Sequence, residues 1–174
     1  MLAYGDNYPD VLSISSIAAE MQYPILLVQK DGLSDAVKNE IAAIKPSKVY
    51  IIGGEGVIGS TVENQVTQTT SLDKANIVRI AGVDRYETSL AIAQYFNLSG
   101  QGVCIATGNN FPDAMAGSVY AANHNAPIIL ADGGLSDQVI NYLTSKNLNG
   151  AILFGGEAVV SKEIEKQLGQ LMRK

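Results

Sequence analysis

The chain repeats part of its own sequence, and this repeat constrains the fold more than any other feature. The segment GDNYPD at residues 5–10 matches GNNFPD at residues 108–113. Further along, PILL at residues 24–27 matches PIIL at residues 127–130, and IGGE at residues 52–55 matches FGGE at residues 154–157. Shared Gly, Pro and Asp residues at matched places predict two copies of one structural unit.

The two copies differ in length, because only the second carries the leading segment VRIAGVDRYET at residues 78–88. The sequence therefore predicts a truncated repeat at residues 1–71, which lacks the first strand and helix. It predicts a complete repeat at residues 72–174.

Short apolar runs alternate with helical patterns in the second copy, which predicts an α/β fold of tandem units with mostly parallel sheets flanked by helices. Strands are expected at residues 77–81, 102–107, 126–131 and 150–154, and helices near residues 85–96, 112–123, 136–145 and 161–172. Small residues at helical spacing predict a close helix contact; they are Ala114, Gly117, Ser118 and Ala121.

The charge balance excludes one class of partner. A net charge of −5 and a pI near 4.8 lack the basic footprint of nucleic-acid binding, so no nucleic-acid partner is expected. No apolar run approaches the roughly 18 residues of a membrane span. The start MLAYGD does not resemble a signal peptide, so the signal of a secreted protein is expected outside this chain.

The motifs together resemble the cell wall binding type 2 repeat family. They are RIAGVDRYETS, ATGNNFPDAMAG, APIILA and ILFGGEAVVS in the second copy, with YGDNYPDVLS, YPILLV and VYIIGGEGVIG in the first. The resemblance covers essentially the whole chain. It implies a Toprim-like open α/β unit and a non-catalytic module, extracellular on the wall of a Gram-positive bacterium.

The resemblance also implies partners. These are an anionic wall polysaccharide or teichoic-type polymer, and further repeats of the same family in a pseudo-trimer or by self-association. It implies polymer binding at the PILL motif, which comprises Pro24, Ile25, Leu26 and Leu27, with Pro127, Ile128, Ile129 and Leu130 in the second copy. The residues themselves equally suit a buried parallel strand that begins at a proline, so both interpretations stay open.

Two arginines are candidates for an anionic ligand, because a guanidinium matches phosphate and carboxylate geometry. They are Arg79 and Arg85, and the alternative for each is an internal ion pair with Asp113, Asp84 or Glu87. A saccharide-binding surface is possible at Tyr86, Asn110, Phe111, Asn7 and Tyr8, or these residues, Asn110 first among them, cap and fasten helix starts. The acids Asp10 and Asp113 occupy matched helix starts, where either a capping or a ligand role is possible.

The alternative function is a nucleotide- or metal-dependent α/β enzyme domain. Residues 54–59 read GEGVIG and fit the GxGxxG pattern of dinucleotide sites, but the matched residues 156–161 read GEAVVS. The shared Gly-Gly-Glu instead predicts a turn with positive φ. His124 is matched by Met21, Cys104 reads as a buried strand residue, and the acids are scattered, so no catalytic residue, metal or cofactor is expected.

Overall fold

The computed structural model describes residues 1–146 and 148–172, in which strands and helices alternate. The first copy forms β1 (Leu2–Tyr4), α1 (Pro9–Glu20), β2 (Leu26–Val28), α2 (Asp35–Ile44), β3 (Val49–Ile52) and α3 (Ser60–Thr70). After a 3-10 turn at Lys74–Asn76 come β4 (Ile77–Ile80), α4 (Arg85–Phe96), β5 (Gly102–Thr107), α5 (Pro112–Asn123), β6 (Ile128–Ala131), α6 (Asp137–Ser145), β7 (Gly150–Phe154) and α7 (Lys162–Leu171). The α/β fold with helix-flanked parallel strands is confirmed, whereas the Toprim likeness stays a prediction.

The strands form two parallel sheets, in the orders β2-β1-β3-β4 and β6-β5-β7. Matching strands of the two copies take matching places: β1 lies between β2 and β3, and β5 lies between β6 and β7. The strand β4 is the exception. It belongs to the leading segment of the second copy, yet it pairs with β3 of the first, with Val49 opposite Ile77 and Ile52 opposite Ile80.

The boundary between the two sheets therefore falls one strand later in the chain than the boundary between the two sequence copies. The strand β4 completes the first sheet, while the helix α4 that follows it packs on β6 of the second sheet. The hydroxyl of Ser89 in α4 accepts a hydrogen bond of 2.9 Å from the backbone N–H of Leu130 in β6. The repeat boundary between residues 71 and 72 stays a prediction about the sequence, and the two copies interlock across it.

Helices α1 and α5 hold the two copies together through the small-residue stripe expected from the sequence. Leu12 of α1 belongs to the buried cluster that contains Ala114 and Ala121 of α5. A β-carbon at Gly117 would lie 2.4 Å from the ring of Phe154, so only glycine allows α5 to lie this close to β7.

Local chemistry explains where the helices begin. The Asp84 carboxylate caps α4 by accepting hydrogen bonds of 2.9 Å from the backbone N–H groups of Tyr86 and Glu87. The expectation that Asn110 caps α5 is wrong, because the N-cap is Phe111 and Asn110 accepts a hydrogen bond from the Phe111 N–H instead. Pro112 occupies the first turn, where its missing N–H leaves no intrahelical bond unmade.

Candidate functional site

Three helix starts meet at the carboxyl ends of the strands, and we call this region the three-helix junction. It consists of the first turns of α1, α4 and α5 with the loops at residues 5–8, 81–84 and 108–111. The Tyr8 hydroxyl donates to the Asn109 carbonyl at 3.1 Å, and the Tyr86 hydroxyl donates to the Asn109 side-chain oxygen at 3.3 Å. The rings of Tyr8 and Phe111 lie 5.2 Å apart. Residues that the sequence singled out in both copies are thus brought together.

Arg85 joins the second copy's leading helix to the loop that starts α5. Its Nη1 donates to the carbonyl of Gly108, a partner different from the three acids considered from the sequence. A β-carbon at Gly108 would lie 2.6 Å from the Tyr86 ring and 3.0 Å from the Arg85 side chain, so this approach requires glycine.

The carboxyl group of Asp10 has a raised pKa in the junction. Burial raises the pKa of its carboxyl to about 6, and the guanidinium of Arg85 partly opposes this shift. Asp10 lines a cleft of about 290 Å³ together with Asn7, Asp84 and Arg85. The cleft offers both hydrogen-bond donors and acceptors, which suits a polar group better than a single anion.

The repeated acids Asp10 and Asp113 lie at equivalent places. Neither is the N-cap of its helix, which is Tyr8 for α1 and Phe111 for α5. Each carboxylate instead lies against the first glycine of the repeated Gly-Gly-Glu segment, Gly53 or Gly155. These glycines have φ of +118° and +126°, as the turn interpretation expected.

Arg79 lies outside the junction, on β4. Its Nε forms an ion pair of 2.8 Å with Glu63 of α3, and its Nη1 donates to the Gly53 carbonyl at 2.7 Å. Two of its three nitrogens are therefore engaged within the protein, which favours a structural role. The sequence reasoning missed Glu63, which lies in a different copy from Arg79.

The two PILL segments have different surroundings. In the second copy Ile128, Ile129 and Leu130 are fully buried, because α4 and α1 cover β6. Both β2 and β6 are edge strands of their sheets, but in the first copy the side chain of Leu27 is 52% exposed. The core interpretation therefore describes the second segment, whereas Leu27 of the first segment is exposed among the residues that the structure describes.

A second cleft, of about 430 Å³, lies where α4 meets the end of β6. Its lining includes four acids, Asp84, Glu87, Asp132 and Asp137. The pKa of Tyr86, which also lines this cleft, is raised by burial first and by Asp132 in addition. The sequence reasoning missed Asp132, although its position directly after a buried strand was a signal.

An aromatic cluster lies at the opposite, amino ends of the first sheet's strands. We call it the aromatic platform and define it by Tyr23, Tyr50, Tyr95 and Phe96. Tyr23 stacks on Tyr50 with ring centroids 6.4 Å apart, and Tyr50 meets Tyr95 edge-on at 5.9 Å. The ammonium of Lys48 lies 6.0 Å from the Tyr50 ring centroid. The sequence reasoning missed this surface, because its members are far apart in the chain.

The residues considered for catalysis have surroundings that suit a role in the fold. Burial raises the pKa of the Cys104 thiol to about 12, which leaves the thiol protonated at neutral pH. The His124 ring stacks on Tyr120 at 3.9 Å. In the GxGxxG segment a β-carbon at Gly56 would meet nothing within 4 Å. A glycine is therefore not needed at this position to let another part of the protein approach the backbone. Within residues 1–146 and 148–172, no group of three or more His, Cys, Asp and Glu side chains could hold a metal ion.

The family model of Cell wall binding domain 2 matches residues 1–63 and 79–165, which include most of both copies. The chain belongs to the Cell wall binding domain 2 family. It is a cell wall binding module, which places it at the cell wall or cell surface. No helix among the described residues is long and apolar enough to cross a membrane.

Relatives of this Cell wall binding domain 2 chain are longer proteins. It is 32% identical over 165 residues to N-acetylmuramoyl-L-alanine amidase LytC of Bacillus subtilis (strain 168), which covers 94% of the chain and 32% of the relative. It is 30% identical over 168 residues to the Amidase enhancer of the same strain, which covers 97% of the chain and 22% of the relative. The chain thus spans about a third or less of these relatives.

Two solved structures share the Cell wall binding domain 2 fold of this chain. Cwp6 from Clostridium difficile superimposes with a TM-score of 0.90 at 30% identity, covering 98% of this chain and 27% of that one. Cwp8 from Clostridium difficile superimposes with a TM-score of 0.85 at 31% identity, covering 98% and 29%. The interlocked arrangement of two copies therefore resembles a part of each larger protein.

Proposed function

We propose that this module holds its protein on the wall by noncovalent binding to anionic secondary wall polymers, and that it catalyses no reaction. The observation that carries the proposal is the family match across both copies. Similar segments occur in an amidase and in an amidase enhancer, which supports a binding role that is separate from the rest of those proteins. Two related copies on one chain suit a repetitive polymer, because each additional contact strengthens the whole attachment.

The proposed polymer contacts at the carboxyl ends of the strands lie in the three-helix junction. Helix N-termini favour anions, and three of them converge there. Arg85 is the residue proposed to face the polymer's negative group, and the exposed ring of Phe111 in the same junction is proposed to contact sugar. The acids Asp10 and Asp84 oppose an anion, so a sugar hydroxyl is the better partner for the cleft beside them.

Further repeats are proposed partners, and the exposed face of α5 supports this. Phe111, Met115 and Val119 are 43%, 56% and 66% exposed and form one stripe along the helix. The matched residues of α1 include Leu12 and Ser16, which are buried where α1 packs on α5. The stripe on α5 is therefore the surface that another repeat is expected to cover, within one protein or between two.

A sedimentation experiment with purified wall tests the function. We expect wall that retains its anionic polymer to carry the protein down, and wall stripped of that polymer to leave it in solution. Equal recovery with both walls would contradict the polymer as ligand. Thermal-shift screens test whether the protein binds nucleotides or divalent metals, as the enzyme alternative requires. Hydrolysis of a nucleotide in a separate activity assay would overturn the non-catalytic assignment.

Variants of Arg85 test the proposed polymer contact, and a variant of Val119 tests the proposed contact between repeats. Arg85→Lys keeps the charge but loses the planar fork, and Arg85→Ala loses both. We expect about tenfold or more weaker wall binding for each, since a charged hydrogen bond is worth about 1.5–3 kcal/mol. Two folded variants that bind like the parent would make Arg85 a purely structural partner of Gly108. Val119→Glu should prevent association of repeats in analytical ultracentrifugation, and unchanged sedimentation would contradict the proposed stripe.

A further inference from the structure

We infer that the aromatic platform is a second saccharide site, which binds an acidic sugar chain of the wall at the amino ends of the strands. This inference rests on the proposed function and adds to it the place and the chemistry of a contact. It concerns the face of the protein opposite the three-helix junction.

Two tyrosines of the platform have exposed side chains. Tyr23 and Tyr95 are 47% and 46% exposed, so both present ring area to solvent. Their contacts with the half-buried Tyr50 hold the two outer rings in fixed positions. A tyrosine offers a rigid apolar face and a polar hydroxyl at a low entropic cost of ordering, which matches the apolar face and hydroxyl edge of a sugar ring.

A cleft of about 180 Å³ continues the platform into the protein. Its lining includes Tyr23 and Tyr50, Pro24 and Leu26 of the first PILL segment, and the apolar side chains of Ile41 and Ile44. Concave apolar surfaces with a few polar groups are the usual form of small-ligand sites. One sugar residue can therefore enter the cleft while its neighbours lie along the outer rings.

Charge selects an acidic saccharide over a neutral one. Among the described residues, those that line this cleft include Lys48 and no Asp or Glu. The two clefts at the carboxyl ends instead contain Asp10 and Asp84, or Asp84 with three further acids. In a chain of net charge −5, the aromatic cleft is thus a place where an anion meets a cation without facing a carboxylate.

The aromatic platform is formed by residues of both copies and has no counterpart within the second copy alone. Tyr23 and Tyr50 come from the first copy, whereas Tyr95 and Phe96 come from α4 of the second. The places that match Tyr23 and Tyr50 in the second copy hold Ala126 and Ile152, which have no aromatic ring. Interlocking of the copies, rather than the repeat itself, creates the surface.

The test compares wall sedimentation of the protein as the cell produces it with three platform variants. Tyr23→Ala and Tyr95→Ala each remove an exposed ring, and Lys48→Glu reverses the charge. Tyr120→Ala and Lys162→Glu are the controls, since Tyr120 is 41% exposed on α5 and the Lys162 side chain is 75% exposed on α7. All variants are first checked for parental thermal unfolding, and Tyr23→Ser and Tyr95→Ser replace any that unfold early.

We expect each ring variant to bind the polymer-bearing wall about two- to tenfold more weakly. Lys48→Glu should also weaken binding, and the loss should be larger at low salt than at high salt, because salt screens the interaction between charges. The two controls should bind like the parent. Platform variants that bind like the parent overturn the platform while the proposed function stands. A parent that binds neither wall overturns both, and a parent that binds stripped wall equally well overturns the acidic ligand.

Discussion

The Oδ2 atom of Asp10 lies 2.8 Å from the position that a β-carbon would take at Gly53. The second copy repeats this relationship between Asp113 and Gly155, at 2.9 Å. The carboxylate therefore occupies space that is available only because the neighbouring residue has no side chain. This contact explains why the Asp and the first Gly of each copy occur together.

Gly53→Ala should lower the free energy of unfolding by about 2 kcal/mol or more. A residue with a β-carbon is strained at a φ of +118°, and the new carbon would collide with Asp10 and Val57. Chemical denaturation monitored by circular dichroism measures the loss. Gly56→Ala is the control, since a β-carbon there meets nothing within 4 Å. Equal stability of the two variants would contradict the contact.

Asp10→Asn should stabilise the protein at neutral pH but not in acid. The folded-state pKa of about 6 lies above the ordinary aspartate pKa of 3.8, so the folded protein holds this proton more tightly than the unfolded chain. The stability that the protonated carboxyl contributes is present below about pH 4 and is lost as the pH rises to about 6. The asparagine side chain of Asp10→Asn does not ionise, so the variant does not lose this stability as the pH rises.

At pH 7 the expected gain of Asp10→Asn is about 1–3 kcal/mol, and near pH 4 it should be small. Denaturation curves at both pH values measure it. Glu20→Gln, at the exposed end of the same helix, controls for the removal of one negative charge. A gain that is the same at both pH values would refute the explanation by burial.

Ser16→Ala should raise the free energy of unfolding by about 1 kcal/mol. Ser16 is fully buried, and its hydroxyl oxygen has no hydrogen-bond partner among the residues that the structure describes. An unpaired buried hydroxyl costs about 1–3 kcal/mol, which alanine removes. Ser13→Ala is the matched control on the same helix, because the Ser13 hydroxyl donates to the Pro9 carbonyl at 3.0 Å and its loss should destabilise. A destabilised Ser16→Ala would mean that this hydroxyl is paired.

Arg79→Lys should destabilise the fold by about 1.5–3 kcal/mol, because an ammonium cannot replace both charged hydrogen bonds to Glu63 and Gly53. Glu63→Gln should cost less, since its amide oxygen can still accept from Arg79. Thermal unfolding measures both variants, and wall sedimentation is measured at a temperature where they are folded. An Arg79→Lys protein with parental stability but weakened wall binding would restore Arg79 as a ligand contact.

Much of the fold was predictable because its signals are local. The buried strands β5 and β6 appear as continuous apolar runs, and Asp84 marks the start of α4 by a capping pattern. The pairing of β4 with β3 was not predictable in this way. Val49 and Ile77 are far apart in the chain, and the leading segment looks like part of the copy that it precedes.

The candidate site was predictable in part for the same reason. The repeated Asn-aromatic-Pro-Asp segments marked α1 and α5, whose first turns do meet at the three-helix junction. The partner of Arg85 was a backbone carbonyl, which no side-chain pattern reveals. The aromatic platform depends on Tyr50 and Tyr95 from different copies, so it exists only once the copies interlock.

The place of β4 in the sheet of the preceding copy has a consequence for how chains with several copies can change in evolution. The pairing of β3 with β4 is made by a strand of one copy and the sheet of the copy before it. The strand β7, which matches β3, lies at the edge of its sheet, so the leading strand of a further copy would find the same kind of place there. If further copies were joined in this way, inserting or deleting a whole copy would restore the same pairing, and the number of copies would be free to change while each internal sheet kept four strands.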